Sequence, residues 1–384
     1  MTPEFDVSVI GAGPAGSAVA RLLALRGYRV ALVERSGFDE PRVGESFAPA
    51  IQPSLAAIGI WPEFMALGPL PSYGTRSHWG SDEVQVHSHM FNRWGCGWHV
   101  DRQAFDLMMA RAACAAGAQL FCETTFVSFD YRRGRWKLEM RTSNSRTQLR
   151  HFGLHARVLV DATGRVACVA RSMGAKRHLL DRLVATAVRF SNVDVGAQGY
   201  ILVEAAPDGW WYSAPLPGGG MIAMLMTDSD LCRQSCPNSL KTWQAKLECA
   251  QATRARLASA IPDAPPRVFS AVSHRTTRSD YKRPWLAVGD AVLAVDPVSG
   301  SGVIRALKAA KLGAETAARM LNDDVEQVVE EHEAVNVARY ASYLTERSAY
   351  YGLEQRWLTH PFWKRRTTSN ALMLSRARLL RVAY

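Results

Sequence analysis

The chain has 384 residues, 48% of them hydrophobic and 21% charged, with a formal net charge of +11. This balance excludes a disordered polypeptide and predicts two or more core-forming units. No apolar run approaches the roughly 18 residues of a spanning helix, so no membrane span is expected. The basic excess is mostly arginine, 38 residues against 8 lysines. No recognition motif or aromatic-basic interleaving accompanies it, so no nucleic-acid partner is expected, and an anionic cofactor or an acidic protein explains the field as well.

The N-terminal stretch MTPEFDVSVIGAGPAG lacks a basic region followed by an apolar one, so it is not read as a signal peptide and a cytoplasmic location is expected. Phe5 to Ile10 reads as a buried strand, followed by the turn Gly11-x-Gly13-x-x-Gly16 containing Pro14 and Ala15. Helical spacing runs from Ala15 to Leu25, and RVALVE forms a second strand ending at Glu34-Arg35, completing a βαβ unit. PRVGES follows as a turn carrying Glu45-Ser46, and GWHVDRQAFD leads into a helix at Arg102. HARVLVDATG is a strand ending on Asp161. From Leu183 to Thr227 four strand-like runs separated by turn signals predict an antiparallel sheet. AVGDAVLAVDPVSGSG then places Asp290 after an apolar strand and Pro297, Gly300 and Gly302 in a turn that opens a helix. The tail is helical, arginine-rich and aromatic.

The fold class this predicts is α/β: a Rossmann-like FAD-binding domain with an inserted, mainly antiparallel β-sheet substrate domain and a helical C-terminal tail. The cofactor domain is expected to be discontinuous, over residues 1–75, 98–175 and 280–325. Residues 76–97 and 176–279 form the substrate domain, and 326–384 the helical C-terminal region. The seven cysteines are irregularly spaced with no Cys-x-x-Cys pair, and Cys232 and Cys236 lack a second ligand pair, so no metal is expected.

A glycine turn between a strand and a helix suits a pyrophosphate. Gly11 permits the sharp turn, Gly13 lets backbone N–H groups approach the phosphates, and Gly16 allows close helix packing. Glu34, about 20 residues on, suits the ribose hydroxyls and disfavours NADP. The second element at Asp290 decides for FAD over NAD. Its ribityl chain needs a carboxylate partner, and amides at Gly300–Gly302 suit the flavin edge that gains negative charge on reduction.

GAGPAG, DATGR and GDAVLAVDPVSGSG together resemble the FAD-dependent monooxygenases of the p-hydroxybenzoate hydroxylase fold. The resemblance implies that Asp290 binds the ribityl chain and that Arg102 contacts FAD. Asp161 and Gly164 match the family's middle motif in part, because its adjacent Asp-Gly pair is separated here. PRVGESFAPAIQPSL, SHWGSDE, GWHVDR and EQRWLTHPFWKRR resemble the flavin-dependent halogenase-like branch. That branch includes maturases that hydroxylate a tryptophan of a partner enzyme on the way to a quinone cofactor.

A halogenase of this branch uses a lysine a few dozen residues after VGE. Here the first lysine is Lys137, and the W-x-W-x-x-P signature is absent. Arginine does not substitute, because its guanidinium stays protonated. The expected activity is therefore an FAD-dependent monooxygenase with O2 as co-substrate, acting on an electron-rich aromatic such as indole or a protein-bound tryptophan. No second glycine fingerprint is present, so reduction by NAD(P)H occurs by transient docking or through a separate flavin reductase; a partner oxidase is a further candidate. The alternatives are a halogenase, a prenyl-type reductase and a flavin-bearing assembly factor. Catalytic candidates are Glu45 and Trp211. Trp210, Tyr212, Pro215 and Pro217 flank the latter, with buried core as the other reading, and His78, Trp79 and His99 are weaker candidates. RWLTHPFWKRR is either a closing helix or an exposed basic-aromatic surface.

Overall fold

A computed structural model describes residues 2–143, 149–191, 193, 199–233 and 239–367. Cys236 and the expected helical tail beyond residue 367 lie outside the described residues.

The first apolar run forms β1 (Glu4–Ile10), and the helix α1 (Pro14–Ala24) crosses to β2 (Val30–Val33). Strands β1 and β2 are parallel, as a right-handed helical crossover requires. The small buried residues Ala15, Ala18 and Ala20 of α1 allow close packing, and Pro14 costs nothing at a position whose N–H has no helical partner. In chain order, β3 (Gly74–His78) and β4 (Gln85–Ser88) follow, then α2 (Arg102–Ala115), the long strand β5 (Leu149–Asp161), β6 (Leu183–Ser191), β7 (Tyr200–Ala206), β8 (Gly209–Pro215), β9 (Met221–Asp228) and β10 (Trp285–Ala287). Two long helices follow, α3 (Gly302–Met320) and α4 (Val325–Gly352).

The first sheet runs from Gln119–Phe121 through β2, β1 and β5. On its far edge β5 carries parallel β10 at one end and the antiparallel hairpin Thr124–Arg132/Arg135–Ser143 at the other. Register pairs Ile10 with Val33 and with Asp161, and Asp161 with Ala287, so the carboxyl ends of four parallel strands are level. Three segments far apart in sequence thus end on one edge, where open α/β sheets bind ligands.

The second sheet has eight strands. Its main path runs from Ile261–Pro262 through β6, β9, β8, β7 and β3 to β4, and only the β7–β3 pair is parallel. All eight residues of β9 are buried, because both faces of the sheet are covered. One face packs with the short helices Leu240–Leu247 and Gln251–Arg256. The other packs with the end of α4 and the turn of helix at 361–367, through Tyr351, Phe362 and Trp363. The RWLTHPFWKRR stretch therefore closes the sheet: Trp363 and Phe362 are fully buried and Trp363 Nε1 donates to the Ala206 carbonyl at 2.9 Å.

Two small sheets join the large units. Lys176–Leu179, expected at the start of the substrate domain, pairs with His274–Thr277, which pairs in turn with Leu293–Ala294. Ser46–Phe47 and Leu70–Ser72 both pair with Gly97–His99, which ties the VGES segment to the base of α2. Among the described residues no helix is long and apolar enough to cross a membrane, and no cluster of ligating side chains could hold a metal ion.

Candidate active site

The glycine turns meet at the level edge. Gly11 has φ +102°, and a methyl group there would lie 2.4 Å from the Ala162 carbonyl oxygen. A methyl on Gly16 would lie 1.9 Å from the Gly11 carbonyl oxygen, so these two glycines are demanded by packing inside the turn. Gly13 differs, because no protein atom lies within 4 Å of the position its Cβ would take. Gly300 and Gly302 are alike in this: no protein atom lies within 4 Å of the Cβ position of either. Gly13 precedes α1 and Ser301 precedes α3, and neither end has a side-chain cap. Two helix N-termini with free N–H groups and positive dipole ends therefore border open space, which suits phosphates and the anionic edge of a flavin. Gly289 abuts α1 directly: a methyl there would come within 2.8 Å of Ala15 Cβ.

The acids around this cradle differ in orientation. Glu34 is buried under the first turn; one oxygen accepts from Ala12 N at 2.8 Å and the other from Ser36 N at 3.1 Å and Ser36 Oγ at 2.7 Å. Its neighbour Arg35 is exposed. Asp290 is partly exposed and pairs with Arg165, which also donates to the Val295 carbonyl at 2.8 Å. Asp161, expected at the cofactor, is instead fully buried. Its oxygens accept from Thr163 N and Oγ at 2.9 and 2.6 Å and from Ala170 N at 2.7 Å. Burial pushes its pKa up, and these donors oppose the shift. The carboxylate clamps the DATGR turn from within and does not face the open space.

Arg102 donates to the Val43 and Gly44 carbonyls at 2.7 and 3.1 Å and to Asp106 at 3.2 Å. Asp106, buried, also binds Arg42 at 2.6 Å, and Arg42 reaches to 3.5 Å of Glu34. Arg42, Asp106 and Arg165 escaped the sequence reading. Only the i,i+4 spacing of Arg102 and Asp106 on one helix gave a signal for any of them.

On the sheet side, Tyr212 of β8 donates to Ser46 Oγ at 2.6 Å, and Ser46 Oγ lies 2.7 Å from His99 Nδ1. Glu45 is fully buried, with one oxygen accepting from Gly44 N at 2.8 Å. Burial pushes its pKa up against the pull of Arg102 and Arg189. Burial also holds His99 down to about 4, although the Gly199 carbonyl favours its protonated form. Val43 and Val298, from the VGES and DPVSGSG turns, pack in one cluster with Trp79, Trp210 and Tyr212. Trp211 is not brought there. Strand alternation turns it to the opposite face, fully buried against Trp243 at a ring separation of 4.8 Å. Trp79 is likewise a packing residue whose Nε1 donates to the Tyr350 carbonyl at 2.8 Å. His78 sits on β3 opposite Glu204.

An open cradle with two uncapped helix ends, a pinned acid beneath the first turn and an accessible acid at the second defines a dinucleotide flavoprotein. Residues 4–331 match the FAD binding domain family, and the chain belongs to that family as an FAD-dependent oxidoreductase. It is 29% identical over 372 residues to the FAD-dependent oxidoreductase LodB of Marinomonas mediterranea, covering 96% of this chain and 98% of that protein. It is 26% identical over 345 residues to a tryptophan 2-halogenase of Chondromyces crocatus, covering 83% of this chain and 62% of that one. The structure of the myxobacterial chondrochloren halogenase CndH superposes with a TM-score of 0.86 at 26% identity, over 98% of this chain and 90% of the other.

Proposed function

We propose that this flavoprotein hydroxylates an electron-rich aromatic ring, an indole, and that its substrate is a tryptophan side chain of a partner enzyme during quinone cofactor maturation. The balance is simple. One atom of O2 becomes the ring hydroxyl and the other leaves as water, with two electrons from NAD(P)H, directly or through a flavin reductase. FAD, when bound, supplies this two-electron chemistry with O2.

The chain's own residues support the reading. Amides of the Gly13–Gly16 turn would hold the pyrophosphate, with Pro14 leaving the helix end open and Ala15 donating. Glu34 would take the ribose, Asp290 the ribityl chain, and the amides at Gly300–Gly302 the pyrimidine edge, with Pro297 shaping that turn. Arg35 and Arg102 add positive charge, and Asp161 holds the middle turn from below. Glu45, buried and with its pKa raised by burial, would hold a proton beside the substrate sheet. Tyr212 and Ser46 orient that side, and Trp79, Trp210 and Trp363 exclude water.

The observation that carries oxygenation over halogenation is the placement of lysine. All eight lysines lie among the described residues and none is buried; seven are exposed, and Lys246 pairs with Asp208 at 3.0 Å. No amine is therefore available inside to direct hypohalous acid. The likeness to CndH keeps halogenation as the second reading. The test supplies FAD, a reductant, isotopically labelled O2, a halide and a tryptophan-bearing partner protein. Labelled oxygen in the tryptophan is the expected product, and halogen in its place overturns the proposal.

A further inference from the structure

Helix α4 reaches the turn that opens α3. Asp296, the residue before Pro297, is fully buried. Its N–H donates to Tyr343 Oη at 2.9 Å, and Tyr343 in turn donates to Ser273 Oγ at 2.9 Å. One Asp296 oxygen accepts from Val298 N at 3.0 Å inside the turn. The other accepts from the Tyr351 hydroxyl at 2.8 Å and lies 3.6 Å from Arg347 Nε. Arg347 also pairs with Asp181 at 3.2 Å, and its guanidinium lies 5.1 Å from the Tyr351 ring centre. Tyr343, Arg347 and Tyr351 recur every four residues along α4, so one helical stripe grips one carboxylate.

We infer that Tyr351 and Arg347 are positioning residues for the Pro297–Gly302 turn, and that through Asp296 they set how much more tightly this site binds reduced than oxidised FAD. The inference rests on the proposed seating of the flavin edge at that turn. Asp296 closes the turn through Val298 N, and the turn leads in three residues to Gly300 and the uncapped start of α3. Donors fixed in place favour the form with more negative charge at the ring edge, because they need not reorganise when the charge arrives. A turn released from Asp296 holds those donors less firmly. Among the described residues this carboxylate makes no hydrogen bond to the first glycine turn or to the substrate sheet; its bonds run between its own turn and α4.

The test is Tyr351→Phe in the FAD-loaded protein, read by titrating the flavin midpoint potential and by binding of oxidised FAD to the apoprotein. Loss of one hydrogen bond to the carboxylate is expected to change the reduced-to-oxidised affinity ratio about tenfold. Tenfold in a two-electron couple is about 30 mV toward lower potential. Binding of oxidised FAD should stay near wild type. Tyr343→Phe acts on the same residue through its N–H and gives the same readout if Tyr351→Phe does not fold. Arg356→Gln is the control: Arg356 pairs with Glu354 and Asp82 on the same closing segment and does not reach Asp296, so the potential should hold. An unchanged potential in both tyrosine variants, or an equal shift in Arg356→Gln, overturns the inference. Wild-type protein that retains no FAD would instead overturn the cofactor seating beneath it.

Discussion

Tyr212 donates to Ser46 Oγ across 2.6 Å, and the same Ser46 Oγ lies 2.7 Å from His99 Nδ1. Three segments meet in this chain of bonds: the VGES turn, the substrate sheet and the strand that leads into α2.

That chain of bonds separates two neighbouring aromatics. Tyr212→Phe should keep its FAD and its melting temperature within a few degrees while turnover of the aromatic falls about tenfold, the cost of about one hydrogen bond. Trp211→Phe should do the reverse, costing about 1–3 kcal/mol of stability through the gap left beside Trp243 with turnover per folded molecule unchanged. Measuring flavin content, melting and turnover side by side decides it; equal turnover losses in both variants would count against the sheet-face assignment.

Glycines of the fingerprint should divide in the same way. Gly16→Ala puts a methyl where the Gly11 carbonyl oxygen stands 1.9 Å away, so soluble folded protein should be lost or sharply reduced. Gly13→Ala meets no protein atom within 4 Å and has an extended backbone at φ −70°, so the apoprotein should melt within about 0.5 kcal/mol of wild type. FAD affinity should nevertheless drop at least tenfold, since the methyl fills the space where backbone would meet the pyrophosphate. Calorimetric titration with FAD on both apoproteins reads the difference.

Acid should weaken the fold through its histidines. His99, His274 and His332 are each held down to about 4 from 6.5, with burial the main cause. The unfolded chain takes up these protons below pH 6.5, while the folded chain refuses them until near pH 4. Their stabilising contribution is therefore complete above pH 6.5 and is lost as the pH falls toward 4, at up to about 1.4 kcal/mol per pH unit for each group. His332→Asn, remote from the substrate side, should flatten the melting-temperature profile in that window. An unaltered slope would show that His332 does not titrate this way.

The closing segment should depend on one buried ion pair. Arg366 binds Asp228 at 2.9 Å with both side chains 2% exposed, and its guanidinium stacks 3.5 Å from the Phe362 ring centre. Arg366→Met leaves Asp228 with only the half-exposed Arg365, and loss of one partner of a buried pair costs about 3–5 kcal/mol. Limited proteolysis should then cut the chain near residue 360 before the rest of the fold opens.

The βαβ unit, the glycine turns and the run of strands in the second sheet were legible in the chain, because each depends on local rules; that the turns lie level was decided by strand register. A positive φ at Gly11 needs glycine. The absence of any lysine before Lys137 was also legible, whereas the exposure of the eight lysines was not. The direction of a side chain at the end of a strand was not. Asp161 and Asp290 both follow apolar runs, yet one turns inward to three donors and the other outward to Arg165. Nor could the face of Trp211 be read, since β8 is buried on both sides and its apolar run carries no alternation. Partners such as Arg42 with Asp106 and Arg165 with Asp290 lie 64 and 125 residues apart. Backbone sterics act between neighbours in sequence, whereas burial and charge pairing act between neighbours in space, and only the assembled fold decides which those are.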